Sequence, residues 1–288
     1  MLDRSGRRSL LSNAPADARA AGYRYFANLL ALRARKLPRD VVGERVESTF
    51  RDLCRELEPT VSLEIGAHEA RFSRWIKADV PTARAIAFEA NPHVHEKYAE
   101  SHADSGVEYL HLAISQTDGP VELGIPREFH NEAKGRRYKK PRTNRMASIA
   151  SHVLAEEVET VTVPSTPLDS FLEVSDDDVV VAWIDVEGAS GPVLSSGAKV
   201  LSRASLVYIE VESEPLWDGQ WLDDDVARFF GDCGLVPVLR DNQRPHQYNV
   251  VFASAELAAQ PRMARLCNAI YRRAGASAQT ARKPGKRS

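Results

Sequence analysis

The sequence predicts an α/β protein whose core is a mostly parallel sheet, preceded by helix and ended by an antiparallel hairpin. Short β-rich runs alternate with helix-like segments, as in sheets whose strands are joined by crossover helices. The run 179–184 is almost continuously apolar, which is typical of a central strand covered on both faces. Only eight residues separate the runs 235–239 and 248–252, too few for a helical crossover, so these two runs should form a hairpin.

The predicted elements cover most of the 288 residues. Apolar residues recur at helical spacing from Tyr23 to Leu57, interrupted by Pro38, and predict a helical lead-in. The expected strands lie at 61–65, 85–88, 107–112, 179–184, 206–211, 235–239 and 248–252. The segment 116–165 breaks the alternation and is interpreted as an insertion. We therefore expect a disordered and helical lead-in over 1–57, a main domain over 58–256, and a C-terminal helix with a basic tail over 257–288.

Composition argues against several classes of function. The formal net charge of −2 and the isoelectric point of about 6.5 give no general reason to expect binding to nucleic acid or to an anionic membrane. Three cysteines without paired spacing fit neither a disulfide framework nor a zinc site, and they favour a cytoplasmic location. No apolar run reaches the roughly 18 residues that span a bilayer, so no transmembrane segment is expected.

Two acidic strand ends point to a nucleoside ligand. In the stretch Glu64-Ile65-Gly66-Ala67 an acid and a small-residue turn join a strand to a helix, so a ligand could approach the backbone and the N–H groups of the helix start. Glu89 ends the next strand, 25 residues later, where a solvent-facing carboxylate could accept both hydroxyls of a ribose. Either feature alone is common in strand-turn-helix junctions; together they favour a binding site.

A third acidic segment follows the central strand. Strand alternation places Asp185 and Glu187 on the same side if the strand continues through Glu187. Charges at the end of a buried strand are costly unless they are paired or used. If the chain turns early, Glu187 would instead cap the following helix.

The order of these segments resembles the FkbM family of S-adenosylmethionine-dependent methyltransferases, whose signature includes an Ile-Asp-Val-Glu-Gly-Ala stretch that matches Ile184 to Ala189. The resemblance covers residues 61–252, and further similar pieces lie at 111–115, 146–149, 166–172, 208–211 and 249–252. It implies a Rossmann-like class I methyltransferase sheet and S-adenosylmethionine as the cofactor. This chain departs from the family at His68, within the first turn, and at Trp183, where lysine is frequent.

The resemblance also implies a cofactor site. The methionine end would lie at the first turn and at Asp185, the ribose at the second strand end, and the adenine after the third strand. The residues assigned in this way are Glu64, Gly66, Ala67, Glu89, Ala90, Asn91, Ala113, Ile114 and Asp185. His68 could reach the cofactor carboxylate or point to solvent.

Methyl transfer to a hydroxyl needs a proton acceptor beside the reacting oxygen. The candidates are Glu187 and Asp185 by position, and His246 by chemistry, with His130 and His152 as further histidines. Arg145, Ser148 and Glu212 are the candidates for acceptor binding. Asp185, Glu187 and Glu212 could in principle hold a divalent ion, but no ligand spacing demands a metal and we expect none.

We therefore expect an O-methyltransferase that acts on a hydroxyl of a sugar, glycolipid, oligosaccharide or polyketide-like acceptor. The alternative is a nucleic-acid-binding protein with a vestigial pocket, because the segment 127–145 holds eight Lys or Arg against two Glu. That segment could equally be a lid over an anionic substrate or a solvated loop. A nicotinamide dehydrogenase is disfavoured by the missing Gly-x-Gly-x-x-Gly and the terminal hairpin. A homo-oligomer is left open.

Overall fold

A seven-stranded sheet forms the centre of the computed structural model, which describes residues 28–131, 136–151 and 155–272. The strands, in chain order, are β1 (Val61–Ile65), β2 (Arg84–Glu89), β3 (Val107–His111), β4 (Ala113–Ile114), β5 (Gly119–Asn131), β6 (Arg136–Lys139), β7 (Ala155–Thr166), β8 (Val180–Ile184), β9 (Ala204–Glu212), β10 (Leu235–Arg240) and β11 (Gln247–Ser254). The helices are α1 (Arg39–Leu57), α2 (Arg71–Asp79), α3 (Pro92–His102), α4 (Leu168–Phe171), α5 (Ser190–Ser196), α6 (Ala198–Leu201), α7 (Asp223–Asp232), α8 (Ala255–Ala258) and α9 (Pro261–Ile270).

The central sheet has the strand order β10-β11-β9-β8-β1-β2-β3. The pairs from β9 through β8, β1 and β2 to β3 are parallel, whereas β11 runs antiparallel to both β9 and β10. The short connection between β10 and β11 imposes this reversal. The predicted α/β fold with a mostly parallel sheet and a C-terminal hairpin is confirmed.

The segment interpreted as an insertion builds a second sheet of order β4-β7-β5-β6. Strands β5 and β7 pair antiparallel from Gly119 opposite Ser165 to Phe129 opposite Ala155. Through β4, which pairs parallel with the end of β7, this sheet begins directly after β3. It therefore stands beside the carboxyl-terminal edge of the central sheet.

Helix α1 packs on one face of the central sheet. Val42, Val46, Phe50 and Leu53 recur at helical spacing and are buried in a cluster with α2 and the sheet. The Phe50 ring lies 5.5 Å from that of Phe72. At the other end of the chain, α9 contacts α1.

The opposite face of the sheet is covered by α4 to α7, with Val193 and Phe230 among the buried residues. Across the described residues, no helix is both long and apolar enough to span a bilayer. Residues 1–27 of the expected lead-in and 273–288 of the expected basic tail lie outside the described ranges.

Candidate active site

The carboxyl-terminal edge of the parallel strands borders a cavity of about 540 Å³. Residues from β2, β1, β8, β9 and β11, which are consecutive neighbours in the sheet, contribute to its lining. Because neighbouring strands lie about 4.8 Å apart, the cavity follows the sheet for about 19 Å. Ligands of open α/β sheets bind at this edge, and the volume is in the range of small-molecule sites.

The turn between β1 and α2 brings the backbone to the cavity. Gly66 has φ +80°, and a Cβ at this position would lie 1.8 Å from the carbonyl oxygen of Asp185, so only glycine fits. The buried carboxylate of Glu64 accepts hydrogen bonds from the backbone N–H groups of Phe72 at 3.2 Å and Ser73 at 2.7 Å. Glu64 therefore fixes the start of α2 against the end of β1.

The backbone N–H groups of this turn are already paired within the protein. Gly66 and Ala67 both donate to the carbonyl oxygen of Phe88, at 3.0 and 2.9 Å. Glu64 accepts the N–H groups in the first turn of α2. The expectation that this helix start offers its N–H groups to a ligand is therefore wrong for these positions, because the neighbouring strand and an acid use them first.

Glu89 lies at the end of β2 and lines the cavity, but it is buried rather than solvent-facing, with 7% of its surface exposed. Its two oxygens accept the backbone N–H groups of His68 and Asn91, both at 2.7 Å. Burial raises the pKa of Glu89 to about 7. The Asn91 side chain accepts the N–H of His93 as the N-cap of α3 and donates to the carbonyl of Arg142. Asn91 does not line the cavity.

The end of the cavity next to β2 is mostly apolar. It is bordered by Ala90, Leu112, Ala113, Ile114, Leu123, Ala147, Ser148 and Ile149. Ala113 and Ile114 belong to β4, which follows β3 directly, so the second sheet closes this end. An apolar slot beside a buried strand-end carboxylate can take a nucleoside, with the base in the slot and the ribose at the acid.

Three acids meet where β8 and β9 end. Oxygens of Asp185, Glu187 and Glu210 all lie within 4.8 Å of one another. Strand β8 stops at Ile184, and Glu187 has φ +30° and Gly188 φ +75°. The strand therefore does not continue through Glu187, which was the condition for strand alternation to place the two acids on one side, yet the turn itself brings this side chain back beside Asp185.

The carboxyl groups of this cluster have raised pKa values and hold their protons more tightly than free carboxyl groups do. Burial and the charge of its neighbours raise the pKa of Glu187 to about 8 and that of Glu210 to about 10. Burial also raises the pKa of Asp185, which Arg145 opposes. Glu210 accepts the side-chain N–H of Gln247 at 2.7 Å. Such a cluster can share protons, or its oxygens could hold one divalent ion.

The family of this chain is shown by its match to a known domain. Residues 64–236, more than half of the chain, match the Methyltransferase FkbM domain. The chain belongs to this family. Its members depend on S-adenosylmethionine, so the predicted family, cofactor and class I methyltransferase fold are confirmed.

Two solved methyltransferase structures resemble this chain at low similarity. Methyltransferase FkbM from Methylobacillus flagellatus KT is 8% identical with a TM-score of 0.38, and the alignment covers 68% of this chain and 44% of that one. Magnesium protoporphyrin IX methyltransferase from Synechocystis PCC 6803, with bound S-adenosylmethionine, is 10% identical with a TM-score of 0.36 over 84% of this chain and all of that one. This chain thus spans less than half of the first protein. No curated protein sequence matches it.

The structure of the FkbM-domain chain does not bring the predicted histidine to the cavity. His246 is about half exposed, lies 3.2 Å from Glu214, and does not line the cavity. His246 is the last residue of the β10–β11 connection, directly before Gln247 at the start of β11. The side chain of His130 and the whole of His152 lie outside the described residues.

Two of the three residues predicted to bind the acceptor do line the cavity. Ser148 is buried beside Gly124, with which it exchanges backbone hydrogen bonds of 2.8 and 2.9 Å. Arg145 lies at the rim, 3.4 Å from Glu69. Glu212 does not line the cavity. Its oxygens accept hydrogen bonds from the side-chain amides of Gln220 and Gln247.

Glu210 is the residue that the sequence reasoning missed. It sits in β9, within a piece that already resembled the family, and it is a charge between the apolar residues Ile209 and Val211. That charge next to the central strand was the available signal. His68, a departure from the family, lines the cavity and places its Nε2 3.3 Å from the carbonyl oxygen of Thr143.

Acidic partners neutralise much of the basic segment 127–145 of the FkbM-domain chain. The ion pairs are Arg127–Glu159 at 3.2 Å, Arg142–Glu159 at 2.9 Å, Arg137–Glu156 at 3.1 Å, Lys139–Glu128 at 3.5 Å and Arg145–Glu69 at 3.4 Å. Most of these acids come from β5 and β7. The segment therefore presents paired charges across the second sheet, and the nucleic-acid hypothesis gains no support from it.

Proposed function

We propose that this protein is an O-methyltransferase that takes a methyl group from S-adenosylmethionine and transfers it to a hydroxyl of a sugar, glycolipid, oligosaccharide or polyketide-like acceptor. The observation that carries this proposal is the cluster of Asp185, Glu187 and Glu210 at the middle of the cavity. A hydroxyl loses its proton when it is methylated, and a carboxylate with a pKa near 8 can accept that proton at neutral pH.

The residues present fit the cofactor. The apolar slot suits a base and the buried Glu89 suits two ribose hydroxyls, while Gly66 lets the turn after β1 lie against the backbone of Asp185. No described residue donates a hydrogen bond to the side chain of Asp185 or Glu187, although both line the cavity. When bound, S-adenosylmethionine supplies a sulfonium methyl group that a hydroxyl oxygen can take.

The chain's own residues then have separate roles. Glu89 holds the ribose, and Asp185, at the end of the central strand, holds the methionine portion. Glu187 hydrogen-bonds the acceptor hydroxyl, orients its lone pair toward the methyl carbon and takes its proton as the new carbon–oxygen bond forms. Burial, together with the neighbouring charges of Asp185 and Glu212, keeps the pKa of Glu187 raised. The apolar slot excludes water from the end of the cavity next to β2.

Calorimetry and a mass-shift screen test the proposal. The full chain should bind S-adenosylmethionine and not NAD, and incubation with hydroxylated acceptors should produce a product heavier by one methyl group on oxygen. Product methylated on nitrogen or carbon would contradict O-transfer. Cofactor binding without turnover, combined with RNA or DNA binding that weakens steeply with salt, would favour the nucleic-acid hypothesis instead.

A further inference from the structure

The cavity extends past the acid cluster into a region built largely outside the matched segment 64–236. There it is bordered by α1 and by the β10–β11 hairpin, over the ends of β8, β9 and β11. We call this region the α1 chamber and define it by Gly43, Glu47, Trp183, Tyr208, Asp241 and Asn249. Because the nucleoside slot lies at the other end, next to β2, the α1 chamber is the space left for the acceptor.

The floor of the α1 chamber is aromatic. Trp183 and Tyr208 are register partners on β8 and β9, and their rings stack with centroids 3.8 Å apart and planes 10° apart. Tyr208 is 4% exposed and Trp183 is half-buried, and no described residue hydrogen-bonds to the hydroxyl of Tyr208 or to the indole N–H of Trp183. Both residues line the cavity, so their free polar atoms can bond a ligand that is apolar on one face and hydrogen-bonding at its edge.

The carboxyl groups in and beside the α1 chamber form no ion pairs. Asp241 lies within it, Asp185, Glu187 and Glu210 border it, and none of these four is ion-paired with a described residue. Asp241 is held by neutral donors, the backbone and side-chain N–H groups of Asn249 at 2.8 and 2.7 Å. A negatively charged ligand would find no paired cation here and would oppose ionisation of these carboxyls, whereas a positive group would supply the missing partner and favour their ionised form.

The basic residues that line the cavity do not change this balance. Arg51 is paired with Glu47 at 2.6 Å. Arg39 is exposed at the first position of α1, and Arg71 and Arg145 are exposed beside Glu69. Arg145 and Arg244 lower the pKa of Glu187 without forming an ion pair with it. The carboxyl groups of the interior therefore remain without paired cations.

Gly43 keeps the α1 chamber open. It lies inside α1, where glycine is a poor helix former, and a Cβ there would be 3.7 Å from Oδ2 of Asp241. The helix backbone thus faces the Asp241 carboxylate directly. A larger side chain at this position would occupy the chamber without disturbing the nucleoside slot.

We propose that the α1 chamber binds the methyl acceptor and selects a hydroxylated molecule that carries a protonated amine, of the amino-sugar type, against one that carries a negative charge. This inference rests on the proposed function, since it assigns the acceptor half of the same site. The stacked rings take the apolar face of the sugar ring, and the carboxylates accept from its hydroxyl and ammonium groups.

Three sugars that share a ring but differ in charge test the selection. D-glucosamine, D-glucose and D-glucuronic acid are titrated at neutral pH into the full chain saturated with S-adenosylhomocysteine. Glucosamine should bind at least about tenfold more tightly than glucuronic acid, with glucose between them. The Asp241→Asn variant should show a smaller difference between the affinities for glucosamine and glucuronic acid. Equal binding of the three sugars, preference for glucuronic acid, or no binding of glucosamine would overturn the inference.

Steric variants test the location. Gly43→Leu should abolish sugar binding and leave the affinity for S-adenosylhomocysteine unchanged. Glu44→Leu, at an exposed position one residue further along α1, is the matched control and should change neither. Equal losses in the two variants, or full sugar binding by Gly43→Leu, would show that the chamber is not the site.

Methyl transfer to the same sugars is measured separately, by mass spectrometry of the products. If glucosamine binds preferentially but no methyl group is transferred, the proposed function fails while the chamber inference stands. If methyl transfer occurs without charge preference, the chamber inference fails while the proposed function stands.

Discussion

At the scale of single residues, the acids of the cavity divide into two groups. Glu64 and Glu89 accept backbone N–H groups and thereby hold the strand ends and the following turns together. Asp185 and Glu187 accept no hydrogen bond from a described side chain or backbone group. Substitutions in the first group should therefore disturb local structure as well as binding, whereas those in the second should act on chemistry.

Glu187→Gln should lower turnover by about a hundredfold or more while leaving the affinity for S-adenosylmethionine close to that of the parent, because an amide cannot take the acceptor's proton. In the parent, turnover should rise with pH and level off above the raised pKa of about 8, since only the ionised carboxylate acts as a base. Turnover and calorimetric affinity across this pH range measure both effects.

Asp185→Asn is the comparison for that variant and should weaken cofactor affinity as well. Parental turnover in Glu187→Gln would refute the base assignment. Loss of turnover on treatment with a chelator, restored by Mg²⁺, would show instead that the acid cluster works by holding a metal ion.

Glu89→Gln should weaken S-adenosylmethionine binding by about tenfold to a hundredfold, because a charged hydrogen bond contributes about 1.5–3 kcal/mol. It should also lower thermal stability, since an amide nitrogen cannot accept one of the two N–H groups that Glu89 now binds. Glu108→Gln is a control on the adjacent strand, where the acid is exposed and paired with Arg84. Similar cofactor affinity in Glu89→Gln and the parent would remove the ribose assignment.

The sequence identified Glu64, Glu89, Asp185 and Glu187 as site acids, but it predicted neither their mutual geometry nor Glu210. Glu64, Glu89 and Asp185 were found because strand ends in a parallel sheet meet at one edge, which is a property of pattern alone. Glu187 reached the cluster through a left-handed turn, and Glu210 through the register of β8 with β9. Neither the backbone angles of a turn nor a strand register can be read from residue types in one sequence.

At the scale of elements, the second sheet shows why a local charge count misleads. The segment 127–145 is strongly basic when read along the chain, which suggested an anion-binding lid or a nucleic-acid patch. In space, β5 pairs with β7, and Glu159 lies against both Arg127 and Arg142. Glu159 lies 32 residues from Arg127 and 17 residues from Arg142 along the chain, so only the folded hairpin reveals the charge balance.

Helix α1 belongs to the core although it precedes the matched family segment. Phe50→Ala should cost about 3–5 kcal/mol of unfolding free energy, because the ring is fully buried against Phe72, Trp183 and Tyr208. Leu32→Ala, at a position that is 59% exposed, is the control and should stay within about 0.5 kcal/mol. Chemical denaturation measures both. Equal costs would show that α1 is not docked as described.

At the scale of the whole molecule, the buried acids tie stability to pH. An unfolded glutamate has a pKa of about 4.3 and is ionised at neutral pH, whereas folded Glu187 and Glu210 keep protons up to about pH 8 and 10. The folded state thus binds more protons, and its stability must fall as pH rises through these values. Histidines do not contribute to this pH dependence above about pH 7.5. Those whose pKa is lowered in the folded state are by then neutral in both the folded and the unfolded protein.

The melting temperature of the ligand-free protein should therefore decrease between about pH 7.5 and 9, with the buried Cys54 thiol, whose pKa is also raised, acting in the same direction above about pH 8.5. Glu210→Gln should flatten this decline and melt above the parent at the alkaline end, because it removes a buried carboxyl that must otherwise ionise without a cation. Glu44→Gln, on the exposed face of α1, should follow the parent curve. A melting temperature that rises with pH in this window, or a Glu210→Gln curve parallel to the parent's, would show that the acid cluster is already ionised in the folded chain.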